Sequence, residues 1–279
     1  MGMKQPHKYS ERLEGHITYG YKFRKLYGFI FDKQTILEGY CGSIAHNLHI
    51  PREADDVFGI DDVDTFNLYC FPIEYYLSLE SYTKAKETDN IKTGQTDIVG
   101  YEIRKAIDLL AGCNPNMLTY LYLKPEHYLN ISEGGKLLLK NRELFLGKKR
   151  IRDGFCGYAH DQLFRMRGGA YKGYMGERRK KIVDKYGYDT KNAVTLVRLL
   201  RSGRELLETG TLAVYRENDR EELLNIKKGK LTLNEVQELA DKEFKNIDDA
   251  YYSSKLPEMN SKQRINELLV DILNIDLKL

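Results

Sequence analysis

The apolar rhythm of the chain changes near residue 150. Before that point, short apolar runs with strand character alternate with helical stretches; after it, the pattern is almost wholly helical, with apolar residues recurring at three- and four-residue spacing. Gln34 to Cys41 reads as a first strand, and the run Phe66-Asn67-Leu68-Tyr69-Cys70-Phe71 as the body of a second, opened by Ile60-Asp61-Asp62-Val63-Asp64. Thr96 to Gly100 reads as a third. Ile17 to Phe31, with aromatic and aliphatic residues among Lys and Arg, predicts a short amphipathic helix beside the first strand. Ile103, Ala106, Ile107 and Leu110 fall at helical spacing, Asn114-Pro115 breaks that helix, and a second runs from Asn116 to Leu123. Glu80 to Gln95, charged and containing Gly94, reads as a helix end and connecting loop. Gly134-Gly135 opens a helical stretch to about Leu146, and Gly147-Lys148-Lys149-Arg150 reads as a hinge.

The second half predicts a helix from Phe155 to Met166, ended by Gly168-Gly169. Asp189 or Thr190 caps the next, which runs to Glu208 and is closed by Gly210; Asp219 to Lys227, Asn234 to Tyr252 and Lys262 to Ile275 supply three more. The expectation is an α+β chain: a small mixed sheet with flanking helices over residues 1–148, then an all-α domain over residues 149–279.

Composition narrows this picture only a little. At 279 residues the chain is long enough to bury real cores, and a formal net charge of +3 does not demand a nucleic-acid partner. Cys41, Cys70, Cys113 and Cys156 are widely spaced, with no Cys-x-x-Cys pair, which argues against a zinc site and for a reducing compartment. The start of the chain is polar, and no run approaches the ~20 apolar residues of a membrane span. These features predict a cytoplasmic protein without a membrane partner.

Chemistry concentrates between Gly42 and Asp97. In an extended strand Asp62 and Asp64 share a face, and two adjacent carboxylates stay ionised most easily with a divalent cation between them. A rival placement over Ala54 and Asp56 puts an alanine where the first carboxylate belongs. Just upstream, Gly42-Ser43 offers backbone N–H groups unobstructed by a Cβ and one hydroxyl, which suits a triphosphate. A phosphate cradle with metal-binding carboxylates is the skeleton of a nucleotide-dependent transferase. Asp97, on the third strand, fits the same cleft or a plain strand-end cap; Glu102 fits a first-turn acid. Ser43 has no triad-like context for a nucleophile. His46 fits either a phosphate contact or an ordinary surface position.

The Gly42-Ser43 turn followed by Asp62-x-Asp64 resembles the DNA polymerase beta superfamily of nucleotidyltransferases, and within it the members associated with RNA repair. The resemblance extends over Pro72-Ile73-Glu74-Tyr75-Tyr76-Leu77, Asp97 to Lys105, Asn114-Pro115, Gly157 to Gln162 and Lys191 to Gly210. It implies an enzyme with a nucleotidyltransferase core that moves a nucleoside monophosphate from an NTP, ATP among them, to a hydroxyl. The acceptor it implies is an RNA or tRNA end, and pyrophosphate is released. Asp62, Asp64 and Asp97 are implied to hold Mg²⁺ or Mn²⁺, with Asp97 also helping to deprotonate the acceptor. Gly42 and Ser43 are implied to bind the nucleotide.

Lys191, Thr195, Arg198, Ser202 and Glu205 form one polar stripe on the helix from Thr190, opposite Ala193, Leu196, Val197, Leu200 and Leu207. Such a stripe is by itself a solvated helix side. The resemblance turns it toward the nucleotide and makes Lys191 and Arg198 phosphate or RNA contacts; where the family often has a His, this chain has Thr195. Two other functions fit the same residues: a nucleotidyltransferase that modifies protein hydroxyls, and a non-catalytic nucleotide- or RNA-binding module.

Overall fold

The structure, a computed structural model, describes residues 24–26, 29–31, 33–54, 57–77, 88–93, 96–167 and 177–279. Its first elements are two short strands, β1 (Arg24–Leu26) and β2 (Phe29–Phe31), paired antiparallel with Leu26 opposite Phe29. The helix expected over Ile17 to Phe31 is replaced, at its described residues, by this hairpin. The register leaves two residues between the strands, the commonest hairpin connection, and a Phe-Ile-Phe run favours a pleated backbone. Residues 17–23 lie outside the described residues.

β3 (Gln34–Tyr40) leads into a single helical turn, α1 (Gly42–Ala45), and β4 (Val63–Cys70) returns antiparallel beside β3. A short helix, α2 (Ile73–Leu77), follows. β5 (Thr88–Thr93) and β6 (Thr96–Glu102) then pair antiparallel, with β6 parallel to β4. β7 (Tyr128–Ile131) pairs antiparallel with β3, giving the order β5-β6-β4-β3-β7. β4 lies at the centre and is buried along almost its whole length, which is why it is mostly apolar, with Thr65 and Asn67 buried among Phe66, Leu68, Tyr69 and Cys70.

β5 corrects the loop expected over Glu80 to Gln95. Its sequence, Thr-Asp-Asn-Ile-Lys-Thr, has one apolar residue, so as an exposed edge strand it shows no apolar alternation; its Lys92 is a common edge-strand safeguard. Residues 78–87 and 94–95 of that stretch lie outside the described residues. β7, at the other edge, went unrecognised in the sequence because four residues, Tyr-Leu-Asn-Ile, are too few to show a period.

The helices after β6 are α3 (Ile103–Ala111), α4 (Pro115–Tyr120), α5 (Glu133–Lys140) and α6 (Lys148–Met166). Glu102 caps α3 by accepting from the Arg104 amide, and Asn114 caps α4 by accepting from the Asn116 and Met117 amides. The stretch expected to stay helical to Leu146 stops at Lys140 and continues as a 3-10 turn over Arg142–Phe145. The hinge expected at Gly147 to Arg150 is instead a packed junction. Lys148 and Lys149 donate their amides to Pro257 and Glu258 carbonyls, and a Cβ on Gly147 would stand 2.7 Å from the Asn260 nitrogen. The helix stop expected at Gly168-Gly169 lies outside the described residues, although α6 does end at Met166.

α7 (Glu177–Tyr186), α8 (Thr190–Thr209), α9 (Arg220–Lys227), α10 (Leu233–Ser253) and α11 (Lys262–Leu277) complete the chain. α8 is capped by Asp189, which accepts from the Lys191 and Asn192 amides, and ends at Gly210 with φ +68°. It is buried on nearly all sides, against α6, α9 and α10. Gly203 permits this approach, since a Cβ there would stand 2.8 Å from Phe155 Cβ and 2.6 Å from Ile247 Cδ1.

Charged residues survive inside this bundle by pairing. Arg201 bonds Glu243, Asp219 and Glu222, and Arg216 bonds Asp219 and Glu205. One apolar cluster runs from Leu37 and Phe66 in the sheet through Phe145 and Phe155 to Leu268 and Ile272. Among the described residues no helix is long and apolar enough to cross a membrane.

Candidate active site

The strand order brings two distant carboxylates together. Because β6 runs parallel to β4 with Asp97 in register with Asp64, the two side chains stand side by side on one face of the sheet. Asp62 precedes the first residue of β4 and is exposed. The Asp64 carboxyl is raised from its ordinary value. Burial is the largest cause, the Lys191 charge opposes it, and the Asp97 and Asp62 charges add to it. Asp97 is anchored from the edge strand, with Lys92 Nζ 2.9 Å from its Oδ2.

The Gly42-Ser43 turn is fitted against Asp64. Cys41 donates its amide to the Asp64 carbonyl at 2.8 Å, and Gly42 follows at φ +59°, the left-handed region open to glycine. A Cβ on Gly42 would collide with the Asp64 carboxylate. Burial and then the Asp64 charge push the Cys41 thiol well up, so it stays protonated and is no nucleophile. Ser43 Oγ lies 3.5 Å from His49 Nδ1, a neighbour that reading the sequence did not find; the distance is at the outer limit of a hydrogen bond.

The residues after this turn are held by the far end of the chain. Asn47, at φ +59°, donates its Nδ2 to the Arg216 carbonyl, and the Arg216 amide donates to the His46 carbonyl. Arg220 Nε donates to the Asn47 carbonyl and Lys227 Nζ to the Leu48 carbonyl. His46 Nδ1 lies 3.1 Å from the Val214 carbonyl. A carbonyl only accepts, so Nδ1 carries the proton. Burial first, then the Arg198 charge, hold His46 well below its ordinary value and hence neutral.

These elements enclose a cavity of about 550 Å³. Gly42, Ser43, His46 and Asp64 line it from the sheet side, Thr119 and Tyr120 from α4, and Lys191, Thr195 and Arg198 from α8. Tyr120 is set in place by stacking on Phe66, 3.8 Å between ring centres and 4° from parallel. Arg198 has no hydrogen bond or ion pair among the described residues, and burial, then the Arg216 charge, lower its guanidinium to about 10. The stripe read as one polar face is therefore divided. Lys191, Thr195 and Arg198 face the cavity, while Ser202 is buried and Glu205 pairs with Arg216.

Asp64, Gly42, Ser43, Lys191 and Arg198 thus share one cavity wall, whereas Asp62 and Asp97 stand beside it. The all-oxygen donor set and the mutual repulsion felt at Asp64 fit a divalent cation of the Mg²⁺ or Mn²⁺ type. As the side chains stand, no three His, Cys, Asp or Glu groups among the described residues converge closely enough to hold one. Reading the sequence missed Tyr120, Thr119 and Lys227. Asn114-Pro115, which caps and starts α4, was the local signal for the first two; Lys227 had none.

A family model described as RlaP, RNA repair pathway DNA polymerase beta family, matches residues 54–271. No curated protein matches the chain. Among solved structures, a nucleotidyltransferase-like protein from Exiguobacterium sibiricum is similar at 10% identity over 96% of this chain and 76% of that one. Its TM-score is 0.27, a likeness too loose to inform any residue here.

Proposed function

Because the chain belongs to the RNA repair pathway DNA polymerase beta family, and so is a nucleotidyltransferase, we propose that it transfers a nucleoside monophosphate from an NTP to the hydroxyl of an RNA or tRNA end. One observation carries this reading. Asp64, whose charge is opposed by burial and by two neighbouring acids, shares a cavity with Arg198, a buried cation that makes no hydrogen bond or ion pair among the described residues and feels the Asp219 charge only at longer range. A nucleotide with its divalent cation complements both.

In this scheme the acceptor oxygen attacks the α-phosphorus, the bond to the β-phosphate bridging oxygen breaks, and pyrophosphate leaves with that electron pair. Asp62, Asp64 and Asp97 would hold Mg²⁺ or Mn²⁺, which neutralises charge at the reacting phosphate. Asp97 Oδ1, the oxygen not bonded to Lys92, takes the acceptor proton. The Gly42 and Ser43 amides and the Ser43 hydroxyl bind the outer phosphates, and Lys191 and Arg198 meet the same charge from α8. Residues 1–148 supply the acids and residues 149–279 the cations.

Incubation with Mg²⁺ or Mn²⁺, each α-labelled NTP in turn, ATP first, and a pool of RNA and tRNA tests this. The expected result is label on RNA that vanishes in Asp62→Ala/Asp64→Ala protein. Label on protein would identify a protein-modifying enzyme instead. NTP binding without transfer would leave a binding module.

A further inference from the structure

The cavity has a second wall that phosphate chemistry does not use. Leu48, Phe58, Ile60, Ile182 and Val194 line it, and they come from three separate parts of the chain. The loop after α1 folds back when Ile60 donates its amide to the Ile50 carbonyl at 2.8 Å, which carries Phe58 to the cavity. The Phe58 ring lies 5.8 Å from that of Tyr186, and Tyr186 stands four residues after Ile182 on the same face of α7. Val194 faces them from α8. Leu48, Phe58 and Val194 are each less than a tenth exposed, so this wall is already packed.

A cation-bearing end and an apolar wall within one cavity match a ligand with an anionic part and a flat, weakly polar part. An inorganic phosphate has no use for the second. We propose that Phe58, Ile60, Ile182 and Val194 hold the nucleobase of the bound NTP, so that the segment carrying Phe58 and Ile60 forms the base site of this chain together with α7 and α8. The inference rests on the reading of the cavity as a nucleotide site. A base presents a π-face to an aromatic ring whatever its identity, so contact with Phe58 gives affinity with little discrimination among bases.

The chain contains no Trp, so Phe58→Trp places a single indole fluorophore in this wall. With Mg²⁺ present, ATP, GTP, CTP and UTP are expected to quench its emission saturably, while inorganic tripolyphosphate does not. In calorimetry Phe58→Ala is expected to weaken NTP binding about tenfold and leave tripolyphosphate binding unchanged. Phe58→Leu keeps most of the buried volume but removes the π-face. A loss shared by both variants at an unchanged melting temperature therefore reports base contact rather than folding. If wild-type protein binds NTP and the Phe58→Leu variant binds it equally well, or if tripolyphosphate quenches the indole as NTP does, the proposal is overturned while the nucleotide site stands. If neither NTP nor tripolyphosphate binds wild-type protein, the nucleotide reading itself fails and this inference falls with it.

Discussion

Gly42 and Asp64 are separated by less than the width of a methyl group: a Cβ on Gly42 would occupy the place of the Asp64 carboxylate. The turn after β3 thus meets β4 at a point where only a hydrogen atom fits, in a backbone conformation, φ +59°, that other residues adopt at a cost. Gly42→Ala is expected to cost roughly 1–2 kcal/mol for the left-handed backbone and to displace Asp64 as well. Nucleotidyl transfer should fall about a hundredfold or more, with the fold retained in circular dichroism. Wild-type turnover in this variant would mean that Asp64 does not act from the position described.

Asp64 also sets a pH signature. Its carboxyl is raised in the folded protein, first by burial and then by Asp97 and Asp62 against the pull of Lys191. A carboxyl raised on folding binds more protons in the native than in the unfolded state. Its ionisation therefore withdraws stability as pH climbs from the unfolded value through the folded one. Metal-free Asp64→Asn protein should melt higher than wild type at pH 7, the difference closing below about pH 4, where both side chains are neutral. Activity should be lost throughout. Thermal melts at both pH values decide it, and an Asn variant that melts lower at pH 7 would contradict the electrostatic account.

Arg198 should behave in the opposite way to a structural arginine. Making no hydrogen bond or ion pair among the described residues, and lowered to about 10 by burial and the Arg216 charge despite the opposing pull of Asp219, it costs the free protein stability at neutral pH. Arg198→Met keeps much of the volume and removes that cost. The melting temperature is expected to hold or rise, while NTP and tripolyphosphate affinities both drop about 10- to 100-fold through loss of a charge-assisted contact. A fall in melting temperature with affinity intact would assign Arg198 to the scaffold.

Gly203 tests the bundle without touching the cavity. An added methyl there meets Phe155 Cβ and Ile247 Cδ1 at 2.8 and 2.6 Å; the Ile247 terminal methyl can turn aside, but Phe155 Cβ is fixed to the α6 backbone and cannot withdraw without moving that helix. Gly203→Ala should cost about 1–3 kcal/mol in urea unfolding, with nucleotide affinity unchanged below the transition.

The elements legible in the sequence are those whose burial is uniform or sharply bounded. β4 shows as a largely apolar segment because both its faces are covered, and α8 shows because Asp189 and Gly210 mark its ends. β5 and β7 sit at the sheet edges, the first with a single apolar residue and the second only four residues long, so neither has a period to detect. The site divides along the same line. Gly42, Ser43, Asp62 and Asp64 lie within a short stretch and carry a recognisable spacing. That Asp97 stands beside Asp64 follows only from the parallel register of β6, which local sequence does not encode. His46 meets Val214 across 168 positions, and no pattern on either segment announces the other.

The hydrogen bonds that tie residues 46–48 to Val214, Arg216, Arg220 and Lys227 have a consequence for how this enzyme can be divided. A fragment cut after residue 148 would keep every acid of the site and lose the mould in which the Gly42-Ser43 loop is cast. The helical half is thus less a lid than a template. Neither half is then expected to be a portable module, and a gene split at that junction should yield two inert pieces that work only once they find each other.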